Sequence, residues 1–178
     1  MKPLTKEQQR NLASIDPYYT KAFEQVKQQI DAKVAESKVK AGKRIREVPS
    51  VSEKKLFDAI MARYKGKVVM VDLWATWCGP CRGAIASFEP RKNKFKDKDV
   101  VFVYITNESS PESKWLEMVA GIEGEHYRLN RKQWDYICDY FGVDGIPSYV
   151  IVDRDGNARL RNDLRGSGML EQELSGML

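Results

Sequence analysis

Residues 68–74 read VVMVDLW, an almost continuous apolar run, and within a few residues the chain reaches Cys78-Gly79-Pro80-Cys81. Side chains alternate between the two faces of a strand, so a run that is apolar at nearly every position belongs to a strand covered on both sides. The chain must therefore build layers around a sheet. With 178 residues it has room for one well-cored domain and an appendage, and too little for two full domains.

Other segments fit that requirement. A second buried strand is expected over residues 100–105, a third over 148–152, and Asp155-Gly156 turns the third into a short strand over 158–160. Between them, helices are expected at 111 onward, with Trp115 and Met118, and over 134–141. A short helix from Pro49 through Leu56, Phe57, Ile60 and Met61 precedes the first strand. The helix opening at the cysteine motif should run through Ile85 and Phe88 and kink at Pro90, where an intrahelical hydrogen bond is lost. Strands separated by helices and closed by a hairpin predict an α/β fold, a mixed sheet with helices on both faces.

Ahead of this lies a different kind of segment. Asp16-Pro17 is a helix-start signal, and Tyr19, Phe23, Val26, Ile30 and Val34 follow at spacings of three and four on a polar helix expected to end at Gly42. We divide the chain into an N-terminal helical extension, residues 1–48, and a main domain, residues 49–178. The apolar stripe either lies on that domain or forms a seam for dimerisation or for an upstream domain.

Composition narrows the function. A hydrophobic fraction of 42% and a charged fraction of 31% are those of a globular protein, with no apolar run long enough to span a bilayer. The net charge of +5 comes from Lys and Arg interleaved with Asp and Glu, which reads as a solvated surface and not as a nucleic-acid site. Met1-Lys2-Pro3-Leu4 runs into polar sequence without a signal-peptide core, so the chain reads as cytosolic or as a fragment whose export segment lies upstream.

Three cysteines are too few for a disulfide scaffold, and the spacing of Cys78 and Cys81 is that of a redox dithiol or half a metal site. A zinc site needs four ligands; the rest of the chain offers only Cys138 and His126, without a second pair at the right spacing. A thiol attacks a disulfide as thiolate, and an ordinary cysteine is mostly protonated at neutral pH. Cys78 falls where a buried strand has ended and a helix begins, so free N–H groups and the helix dipole favour its anion. It is the attacking thiol; Cys81, nearly one helical turn on, is the resolving one. No cofactor beyond this pair is expected, and no metal.

The segment VDLWATWCGPCR resembles the active-site segment of the thioredoxin superfamily. The resemblance implies a thioredoxin-like three-layer fold, with Asp72 as the buried acid that accepts the proton of Cys81. Burial amid Val71 and Leu73 should raise the pKa of that carboxyl and suit it to proton transfer, unless it is a hydrogen-bonded structural carboxylate. Gly145-Ile146-Pro147-Ser148 resembles the family's cis-proline loop, which implies that Ile146 and Pro147 hold an extended substrate beside the sulfurs. Trp77, Gly79 and Pro80 would complete that platform.

Between Cys81 and Pro147 lie roughly 65 residues, about 25 more than a helix, a strand and a crossover need. This insertion, with Trp115, His126 and Tyr127, is similar to the layout of TlpA-like and ResA-like reductases, as is the tail FGVDGIPSYVIVDRDGN. That likeness implies work in the periplasm or on the outer face of a membrane, a disulfide-containing protein substrate, and a membrane or soluble electron donor. Ala84 and Ala86 stand where many relatives have an acidic residue and a proline, which leaves Asp72 a larger share of the work. Cys138, on a helical face with Trp134 and Phe141, reads as a buried, inert residue, and His126 as a surface or packing residue. Arg82 either assists the thiolate or faces solvent.

The expected function is thus protein-disulfide reduction or exchange. Two alternatives remain: a noncatalytic peptide-holding module that uses the Pro147 groove, and a thiol peroxidase, for which the expected Pro and Thr arrangement around a cysteine is missing.

Overall fold

In a computed structural model, residues 5, 7, 8, 11, 17–165 and 168–178 are described. Asp16, read as a helix cap, lies outside them, as do the side chains of Tyr19 and Val34.

The apolar run forms β1 (Val68–Leu73), buried at every position. It pairs in parallel with β2 (Val100–Asn107) and antiparallel with β4 (Ser148–Val152). The five-stranded sheet has the order β3-β2-β1-β4-β5, with β3 (Glu125–Leu129) parallel to β2 and β5 (Ala158–Leu160) antiparallel to β4. This is the mixed α/β sheet of a thioredoxin-like fold.

Alternation along β1 divides the core. Val69, Val71 and Leu73 pack with Leu56, Phe57 and Ile60 of α2 (Glu53–Met61) and Ile137 of α5 (Arg131–Phe141). Val68, Met70 and Trp74 face the other side, with Cys81, Ile85 and Phe88 of α3 (Gly79–Phe88), Trp115 of α4 (Glu112–Val119), and Leu170 and Leu174 of α6 (Leu170–Gly176). Each fully buried aliphatic or aromatic side chain contributes about 1.5–3 kcal/mol, so the two faces of β1 anchor both layers.

Several boundaries differ from those expected. The segment from Pro49 turns first, Val51 N–H donating to the Pro49 carbonyl, and α2 begins only after Ser52. Pro90 does not kink a continuing α-helix: α3 ends at Phe88, and a 3-10 segment (Glu89–Phe95) takes over with the proline in its first turn, where the missing N–H costs nothing. Helix α5 starts at Arg131, because Asn130 and Gln133 form a reciprocal capping box ahead of the apolar residues.

Strand β3 was not expected as a strand. Its EHYRL sequence carries three polar residues, yet His126 and Tyr127 are fully buried, His126 stacked on Tyr104 and Tyr127 Oη 2.7 Å from Tyr64 Oη. The inserted residues are therefore folded into α4 and an extra edge strand. Gly124, φ 137°, lets the chain pass so close to β2 that a Cβ there would meet the Phe102 carbonyl oxygen at 2.6 Å.

Helix α1 (Pro17–Arg44) continues past Gly42, which keeps helical geometry. Its last turn is docked: the Arg44 guanidinium donates to the carbonyls of Val119, Ala120 and Ile122 at the end of α4, satisfying acceptors a helix terminus leaves free. Ile45 then bridges to His126, so the sheet edge already begins inside the stretch read as extension. Phe23, Val26 and Ile30 remain exposed. No helix of the described residues is long and apolar enough to cross a membrane.

Candidate active site

Strand β1 delivers the chain to the cysteines at a fixed height. After Trp74 the loop is pinned from β2, Thr76 N–H donating to Ser110 Oγ at 3.0 Å while Ser110 Oγ and Thr106 Oγ1 lie 2.8 Å apart, all buried. Cys78 then caps α3, with Gly79 and Pro80 opening its first turn. Proline is tolerated there, since its absent N–H would have had no intrahelical acceptor.

Cys78 and Cys81 are joined by a disulfide, Cα to Cα 5.3 Å. The Cys81 N–H points at Cys78 Sγ from 3.1 Å, so a backbone donor and the helix N-terminus both face the first sulfur. Cys81 is wholly buried beneath it, while Cys78 retains 4% exposure.

Opposite the sulfurs stands the loop before β4. The Ile146–Pro147 peptide is cis, and the Ile146 carbonyl oxygen lies 3.8 Å from Cys78 Sγ. Arg165, after a 3-10 turn (Asn162–Leu164), holds this loop by donating to Asp144 Oδ1 at 3.1 Å, the Gly145 carbonyl at 2.9 Å and Ser148 Oγ at 2.5 Å. Ser148 Oγ in turn donates to the Gly145 carbonyl. Nothing in the sequence marked Arg165 for this role, since it is distant in the chain and lies outside any motif.

Trp77 is 62% exposed beside the sulfurs, its ring fixed by an Nε1 hydrogen bond to Ser109 Oγ at 3.0 Å. Together with Ala75, Trp134, Val143 and Ile146 it lines a cleft of about 280 Å³. Cys138 lines it too. The expectation of a buried Cys138 is thus corrected: α5 turns Ile137 fully into the core and leaves Cys138 half-buried on the cleft wall. Desolvation, with Asp135 and Asp139 nearby, pushes its thiol up to about 11. Arg82 is exposed on α3.

Asp72 faces the layer that contains Cys81, on the face of β1 it shares with Met70 and Trp74. It is 2% exposed, and among the described residues its Oδ1 has no hydrogen-bond partner. Its cross-strand neighbours are Tyr104 and Tyr149. Desolvation pushes the carboxyl up to about 8, with Lys92 pulling the other way. His126 is a packing residue, stacked on Tyr104 at 5.0 Å with Nε2 3.1 Å from the Ile122 carbonyl.

A disulfide at a helix N-terminus, a cis-proline facing it and a buried carboxyl under the sheet define a thiol-disulfide oxidoreductase domain of thioredoxin fold. Residues 66–158 match the thioredoxin-like family, and the chain belongs to it. The thioredoxin-like protein YneN of Bacillus subtilis is 39% identical over 92 residues, 52% of this chain and 54% of that protein. The thiol-disulfide oxidoreductase ResA of Bacillus anthracis is 24% identical over 92 residues, 52% of each chain. A Bacteroides vulgatus protein assigned as a thiol-disulfide oxidoreductase superposes with a TM-score of 0.53 at 28% identity, covering 66% of this chain and 83% of that one. The chain spans about a quarter to two thirds of the length of the curated relatives it matches.

Proposed function

We propose that the chain reduces or exchanges disulfides of protein substrates, with Cys78 as nucleophile, Cys81 as resolving thiol and Asp72 as proton acceptor. The observation that carries this reading is the placement of Cys78 Sγ between the Cys81 N–H and the Ile146 carbonyl. In the reduced form the N–H and helix dipole stabilise the Cys78 thiolate.

That thiolate attacks one sulfur of the substrate disulfide. The substrate S–S bond breaks, a Cys78–substrate disulfide forms, and the released substrate thiolate takes a proton from solvent. Cys81 then gives its proton to the Asp72 carboxylate, and its thiolate attacks Cys78 Sγ. The Cys78–Cys81 bond forms, and the second substrate sulfur leaves as thiolate. Two electrons pass to the substrate, so each cycle needs an electron donor, either soluble or held at a membrane. An extended substrate segment along Ile146 and Pro147, against Trp77, Gly79 and Pro80, brings its disulfide in line with Cys78.

The resemblance to ResA-like and TlpA-like layouts supports a protein substrate and a compartment outside the cytosol. Equilibration with glutathione mixtures, followed by alkylation of free thiols, measures the potential of the pair. We expect a value near the roughly −270 mV of thioredoxin; one near the roughly −120 mV of DsbA would make the protein an oxidant and overturn the reductase direction. Failure to form any disulfide in solution would leave the cleft as a peptide-holding groove.

A further inference from the structure

A second buried charge lies on the same side of the sheet as Asp72. Lys92, in the 3-10 segment after α3, is only 4% exposed, although lysine is rarely buried without a partner. Its Nζ donates to Glu89 Oε2 at 2.6 Å and to the Glu123 carbonyl at 2.5 Å. Glu89 is itself fixed, its Oε1 accepting from Glu123 N–H at 2.7 Å. The ammonium also stands over the ring of Tyr104, 4.6 Å from the centroid, and 5.3 Å from that of Phe102.

Tyr104 is the residue on β2 in register with Asp72. Lys92 therefore brings a positive charge beneath the sheet to the immediate neighbour of the buried carboxyl. Attraction between the two is mutual: Lys92 favours the ionised form of Asp72, and Asp72 favours the charged form of Lys92, each against its own desolvation. Among the described residues, no other group that bears on Asp72 carries a compensating positive charge. Tyr104 from β2 and Tyr149 from β4 are held protonated by burial, and Cys81 of α3 is neutral as thiol or disulfide. His126 of β3, behind Tyr104, is kept neutral by burial at about 4. Glu89 and Glu123 act on Lys92, Glu89 also on Tyr104, and Arg165 bears on Tyr149.

We propose that Lys92 is a positioning residue for the proton transfer at Asp72: its ammonium, held by Glu89, the Glu123 carbonyl and the Tyr104 ring, sets the pH at which Asp72 can take the proton of Cys81. This rests on the reading of Asp72 as acceptor given above. Without the ammonium a carboxyl in this place stays protonated to higher pH, and the release of substrate from the Cys78 mixed disulfide is starved of its base. A cation from the segment after α3 thus acts on Asp72, the one acidic residue buried among the described residues.

The test uses the full chain as wild type, Lys92→Met, Lys92→Arg and Asp72→Asn. The carboxyl carbon of Asp72, assigned by its loss in Asp72→Asn, is titrated by NMR in the oxidised protein. Single-turnover release of a mixed disulfide is measured from pH 5 to 10. Lys92→Met should move the Asp72 midpoint up by about one pH unit and shift the rising limb of the release rate with it, about tenfold slower at neutral pH. Lys92→Arg should restore both. An unmoved midpoint in a folded Lys92→Met protein, even one with a lower Tm, overturns the proposal and leaves Lys92 a purely structural tie. Should Lys92→Met fail to fold, Lys92→Gln takes its place, because it keeps a donor toward Glu89 and the Glu123 carbonyl but carries no charge; the midpoint should again rise, and no movement overturns the proposal. If Asp72→Asn retains the rising limb, it is the acceptor reading that fails, while the NMR midpoint still reports on Lys92 separately.

Discussion

The carbonyl oxygen of Ile146 lies 3.8 Å from Cys78 Sγ, although the two residues are 68 positions apart in the chain. The meeting depends on β1 and β4 being antiparallel neighbours, Leu73 opposite Ser148, so that the cysteine loop leaves one strand where the proline loop enters the other. A substrate segment lying against that loop is thereby beside the nucleophile.

The Asp72 carboxyl should make the folded protein sensitive to alkali. Its pKa is about 8 when folded and near the ordinary carboxylate value when unfolded, so between about pH 4 and pH 8 the folded state binds the extra proton. Stability on that account is complete below the unfolded value and is lost as pH rises through about 8. Asp72→Asn should therefore be more stable than wild type at pH 8.5 by a few kcal/mol, at about 1.4 kcal/mol per tenfold change in proton affinity, with little gain at pH 4. Urea unfolding of the oxidised proteins at the two pH values measures the difference; equal gains at both would contradict it.

His126 acts at the acid end. Burial lowers its pKa to about 4 from an ordinary value of 6.5, so its neutral form is favoured by folding. The corresponding stability is present above pH 6.5 and is lost as pH falls toward 4, by roughly 3 kcal/mol at most. His126→Phe keeps the stacking on Tyr104 and should flatten the fall in stability between pH 6.5 and 4. Thermal melts across that interval test this, and parallel curves for the two proteins would reject it.

Arg165 should matter to catalysis more than to overall stability. It is one-third exposed, and Arg165→Met removes donors to Asp144, the Gly145 carbonyl and Ser148 together. We expect a loss of about 1–2 kcal/mol in stability and a larger proportional rise in KM for a protein disulfide, because the loop that receives the substrate is no longer held. Insulin reduction kinetics alongside urea unfolding separate the two effects. A variant whose KM is unchanged would show that the loop keeps its position without Arg165.

Cys138 lines the cleft but should stay out of the chemistry. With its thiol pushed to about 11, it is protonated at neutral pH. In the fully reduced protein at pH 7, iodoacetamide should label Cys78 at least tenfold faster than Cys138, as read by peptide mass spectrometry. Cys138→Ser should leave the potential of the Cys78–Cys81 pair unchanged. Faster labelling of Cys138 would give it a redox role.

Much of the architecture is decided locally and can be read from the chain. VVMVDLW offers water no continuous polar face, so it reads as a covered strand, and Gly79-Pro80 directly after it suits the first turn of a helix, which places Cys78 at its N-terminus. The capping box of α5 is also legible as Asn130-x-x-Gln133, its cap four residues before the first apolar position, Trp134. Strand β3 was hidden for another reason: Glu125, His126 and Arg128 have weak strand character, and burial by neighbours supplies what propensity does not.

The sequence by itself determined the buried strand, the dithiol on a helix N-terminus and the acid within the strand, because each follows from the periodicity or stereochemistry of a few consecutive residues. Only the tertiary structure decided that Arg165 holds the proline loop, that Lys92 lies beneath Tyr104 beside Asp72, and that Cys138 faces the cleft. These relations join residues far apart in the chain. Their strength comes from desolvation and from the register of paired strands, neither of which exists until the layers close.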